Sequence, residues 1–79
     1  MTPAQCKMAR AGVGWGVRDL AGAADVAAST VSRFEAGQNI NLHSLNAMKT
    51  ALEDAGVLFI PENGGGPGVR LKKPVKNKN

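Results

Sequence analysis

Up to Gly56, apolar residues return every three or four positions; from Val57 to Ile60 they run without a break. The first spacing is that of amphipathic helices and the second that of a short strand. Thr2, Pro3 and Gln5 make a Thr-x-x-Gln capping box with proline in the first turn, so a helix opens at once. Cys6, Ala9, Arg10 and Val13 share one stripe of it. Gly12 and Gly14 weaken its end, and Trp15 and Gly16 connect onward. A second helix is expected over residues 17–24, with Leu20, Ala21 and Ala24 inward, and a sharp turn at Asp25 before the apolar anchor Val26. A third is expected over residues 28–36, turning Val31 and Phe34 inward and Ser29, Thr30, Ser32 and Arg33 outward, with Gly37 as its stop. In the fourth, Asn41 is the N-cap, Ile40 and Leu45 suit a hydrophobic staple, and Gly56 ends the helix. Its expected inner stripe is Leu42, Leu45, Met48, Leu52 and Ala55.

After Gly56 the period changes. Val57, Leu58, Phe59 and Ile60 read as a strand, residues 61–68 as a Gly/Pro turn, and residues 69–71 as a second strand, which together make a β-hairpin. A half-solvated hairpin alternates apolar and polar residues, and Val57, Leu58, Phe59 and Ile60 do not. These four are therefore expected at a dimer interface, with cover of the helical core as the alternative. The fold class is mainly α, with a four-helix unit over residues 1–56 and a hairpin over 57–72. A basic tail over 73–79 is expected to be disordered.

With 79 residues the chain suffices for one small domain, for which dimerisation is a useful source of stability. Its net charge of +4 sits at one end. Before position 72, six basic residues (Lys7, Arg10, Arg18, Arg33, Lys49, Arg70) balance six acidic ones (Asp19, Asp25, Glu35, Glu53, Asp54, Glu62). The excess is Lys72, Lys73, Lys76 and Lys78, which suit unspecific contact with phosphate and equally suit a solvated terminus. A single cysteine, Cys6, forms no internal disulfide, and the start of the chain lacks the pattern of a secretory leader; a cytoplasmic setting is expected. No apolar run is long enough for a membrane span.

The segment from Val17 to Gly37 carries the functional pattern. Two helices crossing over a short turn need a small residue where they approach, which Ala21 supplies, and a turn residue that tolerates positive φ, which Asp25 does at some cost. Short polar side chains at the start of the second of the two, Ser29 and Ser32 beside Ala28, are of a size that reaches base edges, and Arg33 suits a forked contact with guanine. The run A-A-S-T-V-S-R-F-E-A-G resembles the recognition helix of Cro/C1-type (XRE-family) helix-turn-helix regulators, a bacterial and phage group. The resemblance extends from Met1 to about Ala55, and the F-I-P-E-N-G-G-G-P-G-V-R-L run resembles the ends of short members. It implies a lambda-repressor-like four-helix domain that binds double-stranded DNA as a homodimer and regulates transcription in association with the nucleoid. Ala28, Ser29 and Arg33 match base-contacting positions, Thr30 a phosphate-bonding position, and Val17 and Arg18 positions that meet phosphate through backbone or side chain. Arg10 and Glu35 match a salt bridge between the first and third helices. Where this chain has Val17, Asp25 and Ala27, the family usually carries a polar residue, glycine and a Ser or Thr cap.

Other chemistry is weaker. Glu35 beside Phe34 fits a structural partner better than a catalytic acid. His43 has no companion for a metal site. Cys6 fits a packing residue, and Gly64, Gly65 and Gly66 lack the Lys-Ser/Thr of a phosphate loop. No nucleophile, base or metal set converges, so no enzyme and no cofactor are expected. The rival expectation is a module that binds a protein partner, of antitoxin or antiactivator type.

Overall fold

The computed structural model describes residues 1–72, so the expectation for residues 73–79 lies outside the described residues. The element order is α1 (Pro3–Val13), α2 (Val17–Ala24), α3 (Ala28–Glu35), α4 (Leu42–Asp54), β1 (Val57–Ile60) and β2 (Gly68–Leu71). The chain is mainly helical, with one two-stranded antiparallel hairpin.

Each boundary has a local cause. Thr2 and Gln5 exchange the two bonds of a capping box, Thr2 Oγ1 accepting from the Gln5 N–H at 3.1 Å and Gln5 Oε1 from the Thr2 N–H at 2.9 Å. Asn41 caps α4 through the Ser44 N–H at 2.7 Å. The first three helices end alike, on a left-handed residue followed by a backbone bond to the carbonyl five positions back. The left-handed residues are Gly14, Asp25 and Gly37, with φ of 75°, 57° and 91°. The bonds run from Trp15 to Arg10, Val26 to Ala21 and Gln38 to Arg33, at 2.9, 3.0 and 3.0 Å. Asp25 is the one non-glycine residue with positive φ among those described.

The core lies where α1, α2, α3 and α4 meet. Cys6, Leu20, Val31, Met48, Leu52 and Val57 are fully buried in it, and Ala9, Ala21, Ala24 and Ala51 fill the close approaches between helices. Two positions of the expected α4 stripe turn out differently. Leu42 is 68 % exposed and Ala55 is exposed, while Ala51 takes the inward place. Leu42 is the first residue after the cap, where the helix has not yet turned toward the core.

The hairpin belongs to the same core. In its register Val57 faces Leu71, Leu58 faces Arg70, Phe59 faces Val69 and Ile60 faces Gly68. Val57 is fully buried, and Phe59 and Val69 pack against the core. Leu71 lies over Gly12, where an added Cβ would sit 3.1 Å from its Cδ2. Of the four residues of β1 expected at a dimer interface, Val57 is buried within the chain and Phe59 packs against the chain's own core, as in the alternative of core cover. Leu58, 44 % exposed, points to the opposite face of the hairpin. Residues 1–56 and 57–72 share one hydrophobic core.

The hairpin is also held by Gln5. This side chain is 4 % exposed, and its Nε2 donates to the carbonyls of Ile60 at 3.0 Å and Gly68 at 2.9 Å. With Oε1 committed to Thr2, the buried amide has a partner on each hydrogen and on its oxygen.

Candidate nucleic-acid interface

α3 is eight residues long and divides sharply between its faces. Val31 and Phe34 are buried, and Ser29, Ser32, Arg33 and Ala36 are exposed. At about 100° per residue the four exposed positions fall within an arc of roughly 100°, opposite the buried pair. Ala28 and Thr30 are half-buried at the flanks, and Ala28 packs against the core, so its methyl is only partly presented. Arg33 stands in the last turn of α3, with its charge toward the negative end of the helix.

α2 joins α3 through residues 25–27 alone. At the start of α2, Arg18 is exposed, while Val17 is half-buried with its side chain against the core. Val17 thus offers its backbone rather than its side chain. Asp19 Oδ2 accepts from the Gly16 N–H at 2.8 Å and satisfies the first donor of this end.

Beneath α3 lies a charged brace. The Glu35 carboxylate accepts from Arg10 Nε at 2.7 Å and Arg10 Nη2 at 2.8 Å, a fork-to-fork pair. The two side chains are 19 % and 8 % exposed. Arg10 Nη1 donates to the Trp15 carbonyl at 3.1 Å, and Cys6 Sγ to Glu35 Oε2 at 3.1 Å. One carboxylate on α3 is held by two α1 side chains four residues apart, and the same arginine also holds the α1–α2 connection. The Arg10 hydrogen bond keeps the Glu35 carboxyl below its ordinary range against the opposing effect of burial, and the same bond holds Arg10 more firmly protonated. Burial, followed by the bond to Glu35, pushes the Cys6 thiol up to about 12.

The structure thus gathers Ser29, Ser32 and Arg33 on one open face, joins Arg10 to Glu35 behind it, and leaves Val17 and Ala28 partly withdrawn. Sequence reasoning missed Cys6 as a ligand of Glu35; its i, i+4 relation to Arg10 was the available signal. His43 is exposed, and no cluster of metal-ligating side chains occurs among the described residues. None of the described helices is long and apolar enough to cross a membrane. No protein-family model matches the chain, and no curated protein matches it.

Proposed function

We propose that the chain is a helix-turn-helix protein of the Cro/C1 type that binds double-stranded DNA sequence-specifically, as a dimer on an inverted repeat, and so regulates transcription; it is a binding protein and not an enzyme. α2 and α3 are the two helices of the motif, and α3 is the reader. The observation that carries this reading is the division of α3. Val31 and Phe34 fix the helix to the core and Arg10 grips its end, while Ser29, Ser32 and Arg33 stay free of any partner among the described residues. A helix this firmly seated presents side chains to a groove at little further entropic cost. Arg33 makes the forked base contact, Ser29 and Ser32 the short polar ones, and Arg18, Thr30 and the backbone at Val17 meet phosphate.

The test is a binding titration on duplexes selected from a random pool, with Arg33→Ala beside the wild type. Loss of one bidentate base contact costs about 1–3 kcal/mol and relaxes preference at one position of each half-site. Half-site centres one helical turn apart, about 10 bp, are expected for a dimer. If Arg33→Ala keeps the wild-type affinity and preference with a native circular dichroism spectrum, the assignment of Arg33 fails. If the wild type selects no duplex at all, the reading yields to a protein-binding module.

A further inference from the structure

The outward face of α4 carries opposite charge character at its two ends. His43, Ala47, Thr50 and Asp54 follow one another at steps of four, three and four, the spacing of a seam between two packed helices. His43, Thr50 and Asp54 are exposed and Ala47 is half-buried, so the seam faces away from the chain's own core. Beside it a groove of about 340 Å³ runs between α2 and α4, with Ala24, Ala47 and Ala51 on its floor. His43 lines one end of this groove and Asp54 the other.

The two ends cannot satisfy each other within one chain. Eleven residues of helix separate His43 from Asp54 by about 16 Å. Glu53 and Asp54 sit at the negative end of α4, whose last turn holds no basic residue, while His43 sits at the positive end. No salt bridge among the described residues involves any of the three. A second α4 laid antiparallel reverses this mismatch: the positive end of each helix, with its His43, comes against the carboxylates of the other. The face is complementary to itself under a twofold axis, which an isologous dimer requires. Ala47 and Thr50 at the middle let the two axes approach to about 8 Å. The outer face of the hairpin has no such pattern, since Leu58 faces Arg70 and neither strand carries an acidic residue.

We propose that two copies of this chain pair α4 against α4 in antiparallel fashion, with His43 of each against the partner's Asp54 and with Ala47 and Thr50 at the crossing. Asn46, exposed on the flank of the seam, then lies beside the partner's Thr50 and supplies a polar contact there. This gives the dimer of the proposed function its interface, a link that rests on the DNA reading; the pairing itself does not.

Sedimentation equilibrium of the full-length protein without DNA, over a concentration series reaching the millimolar range, tests the pairing. The wild type is expected to pass from monomer to dimer. Thr50→Arg puts a long side chain where the axes approach to about 8 Å and should leave a folded monomer. His43→Glu and Asp54→Lys should each weaken the dimer about tenfold, since both symmetric pairs pass from attraction to repulsion at exposed sites. Each of these changes suits the dipole of α4 better than the native residue does, so neither acts by melting the helix. The double variant His43→Glu/Asp54→Lys should recover the wild-type constant, and at a separation of about 16 Å within one chain that recovery arises only between chains. A wild type that stays monomeric, a dimer that survives Thr50→Arg, or a double variant no tighter than the single ones overturns the proposal. Dissociation of a folded Leu58→Asp variant overturns it too, by placing the contact on the hairpin. Because no duplex is present, none of these outcomes touches the reading of bases by α3, which stands or falls on the Arg33 titration.

Discussion

Gln5→Glu changes one atom pair in the buried amide and reverses its meaning. The carboxylate still accepts from the Thr2 N–H, yet its other oxygen now faces the Ile60 and Gly68 carbonyls that Nε2 contacts at 3.0 and 2.9 Å. Two hydrogen bonds are lost, at about 1 kcal/mol each, and a charge is buried against two carbonyl dipoles. The side chain escapes by taking up a proton, which restores one donor. At pH 7 that uptake costs about 3.7 kcal/mol, since each pH unit above the ordinary glutamate value of about 4.3 is worth 1.36 kcal/mol. The full penalty at pH 7 is therefore capped near 5 kcal/mol, comparable to the whole stability of a small domain. A glutamate whose value is raised by folding is stabilised below its unfolded value and destabilised as pH rises. The deficit relative to wild type should accordingly shrink to about 1 kcal/mol near pH 4. Thermal melts of both proteins from pH 4 to pH 8 measure this difference, and each kcal/mol moves the midpoint by about 4–8 °C at this size. Gln5→Met serves as the uncharged control; it loses all three side-chain bonds, about 3 kcal/mol, by an amount that does not vary with pH. A Glu variant that melts like wild type at pH 7, or a deficit constant down to pH 4, refutes the clamp.

Removing either Arg10 or Glu35 strands its partly buried partner and should cost about 3–5 kcal/mol; a double-mutant cycle without coupling contradicts the brace. Since folding lowers the Glu35 value, its contribution is present above the ordinary 4.5 and lost as pH falls below it, so the acid limb of the wild-type stability curve should flatten in Glu35→Gln. Cys6, pushed up to about 12, should resist thiol reagents in the native protein, and stability should decline above about pH 9 as the unfolded thiol ionises; rapid native labelling contradicts this. Asp25→Gly relieves a left-handed backbone at φ 57° and should raise stability by about 0.5–1 kcal/mol, read as a higher melting midpoint. If the hairpin's outer face joins two subunits, Leu58→Asp should give a folded monomer in sedimentation; a persistent dimer moves the interface to α4.

The helices were legible because their signals are local. Capping at Thr2 and Asn41, the left-handed stops and the Val31/Phe34 pair each depend on neighbours within one or two turns. The same locality explains the errors. Leu42 matched the period of α4, but being first after the cap it has no turn before it to aim it inward. Val57, Leu58, Phe59 and Ile60 read as one apolar block; only the presence of α1 and α4 beneath the hairpin separates Val57 and Phe59 from Leu58. The second role of Gln5 left no trace in the pattern, because its two carbonyl partners lie 55 and 63 positions away. On the candidate interface, Arg33 and Ser29 follow from helical phase alone. The withdrawal of Val17 and the thiol bond of Cys6 depend on packing between elements.

The bond from Gln5 to the Gly68 carbonyl joins the start of α1 to the start of β2, across 63 of the chain's 79 positions. During synthesis, then, the buried amide of the first helix finds both acceptors only once Gly68 has been made. α2 and α3, linked through local contacts, can associate while the chain is still growing, whereas the hairpin closes late and at the loop-closure cost of a long separation. A chain cut short in the hairpin would keep α2 and α3 but lack the strands that cover α1 and α4. Such a chain leaves uncovered the parts of α1 and α4 on which the hairpin packs and is more open to proteases for that reason.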